Sequence, residues 1–429
     1  MKGRLALSAV ILVLGFATVA SPVGLAGQAT TEPDSESATE LPYGATPPEF
    51  VPYSGTDDPY RRFYLNPLEY HGPGREAVLP ELPPTIRIGL LAPLERTREA
   101  RAGRSLKHGI DLAFEETNAG GGYSGLPFEL VARNDEALWG SSANTLVELA
   151  YEENVWAVIG SIDSTSTHVA LRVALKAELP IVNVGSTDPT MTETGIPWLV
   201  RLTPDDRQTS YRLARLLFEE LGLSRVAVLR STERHGRMGV PEFRDAARRL
   251  GRPLPLEIIY SAGQEEFTPQ LEQIAGSGAE AVVLWAGARD SALIVRQMRE
   301  VGLDQPIFGT DRLVSPEFLE LAGPAAESVR ATAWLDPGRE DVSWSAFRGR
   351  FRERFDSEPD AFAAYGYDAA LMLVAAVRQA GLNRALIRDK LMSHRSYRGV
   401  AGAMRFDENS NNVSPPLVAR VEQGRFVFR

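Results

Sequence analysis

The residues of this 429-residue chain best suited to hold a small charged molecule follow the short run WAVIG: Ser161, Ile162, Asp163, Ser164, Thr165 and Ser166. A β-branched run that breaks into a helical pattern is a strand-to-helix junction, and a helix start offers unpaired N–H groups and a positive partial charge. Hydroxyls placed there suit an anionic head group such as a carboxylate. Ser164 has a second reading as the cap of the helix that follows. Asp163 sits beside the same place and repels an anion unless it is turned away or paired.

Other chemistry is harder to find. Gly120-Gly121-Gly122-Tyr123-Ser124-Gly125 fits G-x-G-x-x-G literally, but it follows a helical pattern and precedes a strand, the reverse of a dinucleotide site. No P-loop, G-x-S-x-G elbow or H-E-x-x-H motif occurs, and the 5 histidines fall at no metal-ligand spacing. With 56 acidic residues any two carboxylates can be called a pair, so none is singled out. The expectation is a binding protein with no catalytic residue, metal or cofactor. The aromatics of WSAFRGRFRERF recur at helical spacing and read as core.

The elements that must position the hydroxyl junction alternate along the chain. IRIGLLAP, FELVARND, WAVIG and PIVNVG read as strands, separated by SLKHGIDLAFEETNA, SSANTLVELAYEEN and STSTHVALRVALKAEL as helices. That rhythm signals parallel βαβ units. A second series, from RQTSYRLARLLFEELG through RVAVLR, LEIIY and AVVLWAG to PIFGT, repeats it, so two doubly wound, Rossmann-like α/β lobes are implied. In the last third, VRATAW is followed by helical patterns in succession and a strand-rich tail, PLVARVEQGRFVF. The chain is therefore expected to return to the first lobe and finish on the second.

Composition sets the outer limits. The length suits two ordinary domains plus tails, and a net charge of -10 argues against a nucleic-acid or anionic-membrane surface. Zero cysteines exclude a disulfide, a zinc-thiolate site, a thiol nucleophile and a lipidated cysteine. Lys2 and Arg4 before the apolar run Leu5 to Val19 have the layout of a secretory signal peptide, with cleavage after Ala20 or Ala29. The run is shorter than the ~20 residues that span hydrocarbon. Residues 30–84 are rich in Pro, Ser, Thr and acidic groups and read as a linker or arm. Tyr43, Phe50, Tyr53, Tyr60, Phe63, Tyr64 and Tyr70 are more aromatics than a plain tether needs, so part of the arm is expected to dock on the body or on a partner.

With these stretches in order, and with HGIDLAFEETNAGGGYSG, WAVIGSIDSTST, PIVNVGSTDPTMT, WLVRLTPDDRQTS and AAYGYDAALMLVAAV among them, the chain from Thr85 to Arg429 resembles the type I periplasmic binding proteins of the leucine/isoleucine/valine-binding group. The resemblance implies lobes of residues 85–203 plus 334–400 and 204–333 plus 401–429, after a 1–29 leader and a 30–84 arm. Three crossover strands would join them near Arg201 to Pro204, Ala333 to Asp336 and Ala401 to Phe406, with a small polar ligand held between lobes that close by hinge motion. It further implies a monomer outside the inner membrane that serves the permease of an ABC importer. A sensory or partner-binding module on the same fold is the alternative, favoured by the aromatic arm. By the same resemblance the Ser164 hydroxyl binds an amino-acid carboxylate, the Gly185 carbonyl and Thr187 hydroxyl hold ligand ammonium and carboxylate, and Asp311 pairs with the ammonium. His235 stands where the family often has a Tyr over the ligand. Ala288 and Ala102 replace expected aromatic walls, which implies a wider or reshaped pocket. Arg289 or Arg312 would offset Asp163 or recognise a second acidic group.

Overall fold

A computed structural model describes residues 69–78 and 81–428, together with Val51. The leader and most of the arm, including every arm aromatic except Tyr70, lie outside the described residues. Tyr70 itself is buried edge-on against Trp198, with ring centroids 5.0 Å apart. Its hydroxyl accepts the Gly74 N–H, Arg75 pairs with Asp389 at 2.6 Å, and the Asn383 amide donates to the carbonyls of Gly74 and Ala77. The end of the arm thus docks on the body.

The chain then runs β1 (Ile86–Ala92), α1 (Ala100–Ala119), β2 (Phe128–Asn134), α2 (Trp139–Val147), β3 (Val158–Gly160), α3 (Ser164–Ala177), β4 (Ile181–Asn183), the single turn α4 (Thr190–Glu193) and β5 (Leu199–Arg201). These five strands form one parallel sheet in the order β2-β1-β3-β4-β5. It is covered on both faces, which is why its strands are continuously apolar rather than alternating. One core cluster sets Ile88, Leu90 and Ile159 against Phe114, Phe351 and Leu373; the other sets Leu91 and Val158 against Leu146, Leu171 and Trp198.

The second series comprises α5 (Asp206–Ala214), β6 (Val226–Ser231), α6 (Arg234–Arg249), β7 (Leu256–Tyr260), α7 (Thr268–Ser277), β8 (Ala281–Trp285), α8 (Ala288–Glu300), β9 (Ile307–Gly309), α9 (Pro316–Ala322) and β10 (Arg330–Ala333). After these come α10 (Val342–Phe355), α11 (Ala361–Ala380), α12 (Arg384–Met392), the hairpin β11 (Ser396–Gly399) and β12 (Gly402–Arg405), then β13 (Leu417–Glu422) and β14 (Arg425–Phe428). The second sheet has the order β14-β13-β10-β9-β8-β6-β7, antiparallel only where β13 meets β10 and β14. The fold is therefore two doubly wound α/β lobes.

Helices α10 to α12 return to the first lobe. Among the described residues α11 alone is long and apolar enough to cross a membrane, yet it is a core helix packed on α1. A Cβ on Gly109 would stand 2.0 Å from the Ala363 carbonyl oxygen, and one on Gly366 would stand 2.6 Å from that of Leu106, so the close approach of the two helices requires both glycines. The hairpin joins the same core through Tyr397, Val400, Met404 and Phe406. Beyond it, Arg201 and Phe406 form isolated bridges with Asn411 and Asn412.

The crossings are tied together by one buried arginine. Arg201, at the end of β5, exchanges backbone hydrogen bonds with Ser410 and Asn412 of the third crossing. Its guanidinium donates to Asn411 Oδ1 at 2.7 Å, to the Asp188 carbonyl at 2.6 Å and to Asp205 Oδ2 at 3.1 Å, all in full burial. Breaking a buried pair from one side leaves an uncompensated charge, at a cost of about 3–5 kcal/mol. Arg201→Met should destabilise the protein by about that amount in urea unfolding; a loss under about 1 kcal/mol would mean that Asp205 does not depend on Arg201.

Candidate functional site

The carboxyl ends of β1, β3 and β4 in the first lobe face those of β6, β8 and β9 in the second, and a cavity of about 280 Å³ lies between them. Parallel strands and the helices that follow aim their connecting loops at this cleft, the usual place for a ligand in an open α/β sheet. On the first side, β3 ends at Gly160 and α3 begins at Ser164. Asp163 is the helix cap, its carboxylate accepting the Ser166 N–H at 2.7 Å. It lines the cavity with one oxygen engaged in the cap, and the Ser164 side chain takes no part in capping. The Ser164 hydroxyl is buried, lines the cavity and has no hydrogen-bond partner.

Gly185 follows β4 with φ of +118°, and a Cβ there would meet Ile162 and Phe362 at 3.0 Å. Its carbonyl is already occupied. Arg312 reaches across from the second lobe and donates Nη2 to the carbonyls of Gly185, at 2.8 Å, and Ile162, at 3.0 Å. Thr187 is also engaged, its hydroxyl 3.2 Å from Nδ1 of His235. Ala102, Ser164, His235, Ala288 and Asp311 line the cavity, whereas Gly185 and Thr187 stand just behind its wall.

His235 is the second residue of α6, with Nε2 3.3 Å from Thr310 and its ring 6.1 Å from Trp285. Burial, reinforced by Arg312, holds the imidazole well below its ordinary range. Asp206 lies 3.6 Å away, but burial and the nearby Asp311 push its carboxyl well up. Burial thus shifts both groups toward their neutral forms. Asp311 opens the turn after β9, with both carboxylate oxygens buried and without a hydrogen-bond partner, and with Arg312 Nε 3.7 Å away. Burial raises it to about 6 against the pull of Arg312.

Three features escape sequence reasoning. Trp334, in the second crossing, and Phe362, on α11, pack edge to face at 5.8 Å and supply aromatic wall where Ala102 and Ala288 do not. Arg98 reaches Asp290 of the other lobe at 2.5 Å, and Arg234 reaches Asp188 at 2.6 Å. Ion pairs between lobes come from loops 192 and 46 positions apart, a separation that no local pattern reveals.

A periplasmic binding protein family model matches residues 85–425. The chain belongs to this family. Among its relatives, a Leu/Ile/Val-binding protein homolog of Brucella suis is 26% identical over 318 residues, covering 74% of this chain and 85% of the relative. An amino acid binding protein of Pseudomonas aeruginosa is 28% identical over 303 residues, covering 70% and 79%. Among solved structures, the leucine binding protein LivK of Thermotoga maritima superposes with a TM-score of 0.75 at 25% identity, covering 80% of this chain and 98% of that one. The isoleucine complex of LivJ from Streptococcus pneumoniae gives 0.72 at 25% identity, covering 80% and 100%.

In this periplasmic binding protein the raised Asp311 carboxyl has a stability consequence. The folded state holds its proton up to about pH 6, while an unfolded aspartate releases it near 3.9. Its favourable contribution is complete below the unfolded value and is lost as pH rises through the folded one. Asp311→Asn imitates the protonated form, so it should raise the ligand-free stability at pH 8 by about 3 kcal/mol in urea unfolding. The gain should vanish near pH 4; an equal gain at both pH values would show that ionisation is not its source.

Proposed function

We propose that this chain is exported and captures a small polar molecule, an amino acid or a related small acid or amide, between its lobes for the permease of an ABC importer. The observation that carries this reading is the pair of buried, unpartnered polar groups on opposite walls of one cavity, Ser164 from the first lobe and Asp311 from the second. Leaving such groups unpaired costs about 1–3 kcal/mol each. A ligand that satisfies both recovers that cost only when the lobes are together, so binding favours the closed form.

The family membership and the relatives named for leucine, isoleucine, valine or amino acid binding support the class of ligand. They equally support a carrier rather than an enzyme. The acidic leader-bearing chain is read as a periplasmic monomer. The second lobe contributes His235 and Ala288 to the ligand's surroundings, and Ala102 faces them from the first. Gly185 and Thr187 act one layer out, through Arg312 and His235.

Thermal unfolding of the mature full chain with a panel of amino acids, amides and organic acids tests the reading, since a ligand of the folded state raises the midpoint with its concentration. At least one compound should do so, and Ser164→Ala should weaken that compound about tenfold, as the loss of one hydrogen bond to a charged group does. A panel without any shift would remove the solute-capture reading.

A further inference from the structure

The polar groups around the cavity are unevenly satisfied. The carbonyls of Ile162 and Gly185, the first-lobe acceptors nearest Arg312, are both taken by its Nη2. Three N–H or O–H donors on the cavity lining are buried and have no hydrogen-bond partner: Arg312 Nε, the Ser164 hydroxyl and Trp334 Nε1. They come from the second lobe, the first lobe and a crossing between them. Of the lining acids, Asp163 caps α3 and Asp290 is held by Arg98 and by the Tyr260 hydroxyl. Asp311 keeps two unpartnered oxygens with Arg312 Nε 3.7 Å away, so the chain's own cation already faces the acid that a ligand ammonium would need. The cavity therefore offers unpartnered donors from three directions, and its nearest first-lobe carbonyls already carry a cation built into the chain.

We propose that Arg312 is the specificity-determining residue of this cleft and that the ligand is a carboxylic acid without an α-ammonium group. This rests on the solute-capture reading and narrows it. The guanidinium fills the place between the lobes that a ligand amine would need, donating with one nitrogen to the first-lobe carbonyls. Its free Nε–H and the Ser164 hydroxyl are left for the carboxylate. Arginine suits the task because its planar fork serves two acceptors at once without losing its charge. The apolar body of the acid lies against Trp334 and Phe362, which form the aromatic wall. An amino acid of the same shape must either displace Arg312 from two carbonyls or place its ammonium beside a fixed guanidinium.

The test uses the full mature chain and matched pairs that differ only at the α-position: 4-methyl-2-oxopentanoate with L-leucine, and phenylpyruvate with L-phenylalanine. Affinities are read by calorimetry. The wild-type protein should prefer the oxo acid of at least one pair by tenfold or more. Arg312→Ala, with its fold checked by circular dichroism, should lose the oxo acid by at least tenfold and reverse the preference. Arg312→Lys, which keeps a charge but not the fork, should fall between them and decides the case if the alanine variant does not fold. Wild-type binding of the amino acids as tightly as the oxo acids overturns the inference while leaving solute capture intact. An oxo acid that Arg312→Ala binds unchanged also overturns it. Failure of all four compounds to bind overturns the inference, and solute capture is then judged separately by the broader panel's midpoints.

Discussion

The structure depends on a buried arginine where the lobes meet. Arg201 is fully enclosed, and a charge enclosed in protein persists only when its hydrogen bonds are complete. Asp205, Asn411 and the Asp188 carbonyl complete them. Asp205 also caps α5 through the N–H groups of Arg207 and Gln208, and Asn411 donates back to Asp205. One charge thus fixes the end of β5, the start of α5 and the third crossing. These segments, about 210 residues apart in the chain, are held in register. An apolar contact at that place would tolerate sliding; a forked cation among fixed acceptors does not.

Around this fixed point the cleft is built on opposite terms. Its ion pairs, Arg98 with Asp290 and Arg234 with Asp188, reach from lobe to lobe, and Arg98 is partly exposed, where solvent weakens such a pair. Deeper in, burial shifts His235, Asp206 and Asp311 each toward its neutral form. Arg312, bonded to two first-lobe carbonyls, is the cation set among them.

Much of this was legible in the sequence because it is written locally. The strand runs, the capped helices and the order of βαβ units require only neighbours in the chain, and each forms where its pattern indicates. The hydroxyl junction at Ser161 to Ser166 was visible for the same reason, and there Asp163 proves to be the helix cap. The aromatics of WSAFRGRFRERF were read as core from their spacing, and Trp344, Phe347 and Phe351 are buried. A short hairpin can be claimed by either lobe, and the burial of Tyr397, Met404 and Phe406 in one core with α11 is a tertiary fact.

The sequence by itself determined the lobes, their connectivity and the strand ends that face the cleft, since secondary structure and the handedness of parallel crossovers follow from local pattern and chain chirality. Only the tertiary structure decided what each polar group in the cleft is free to do. That Gly185 has spent its carbonyl on Arg312, that Thr187 has turned to His235, and that Trp334 and Phe362 replace the missing aromatics are matters of partners distant in sequence. Hydrogen-bond satisfaction is a property of three-dimensional neighbours, and no periodicity along the chain encodes it.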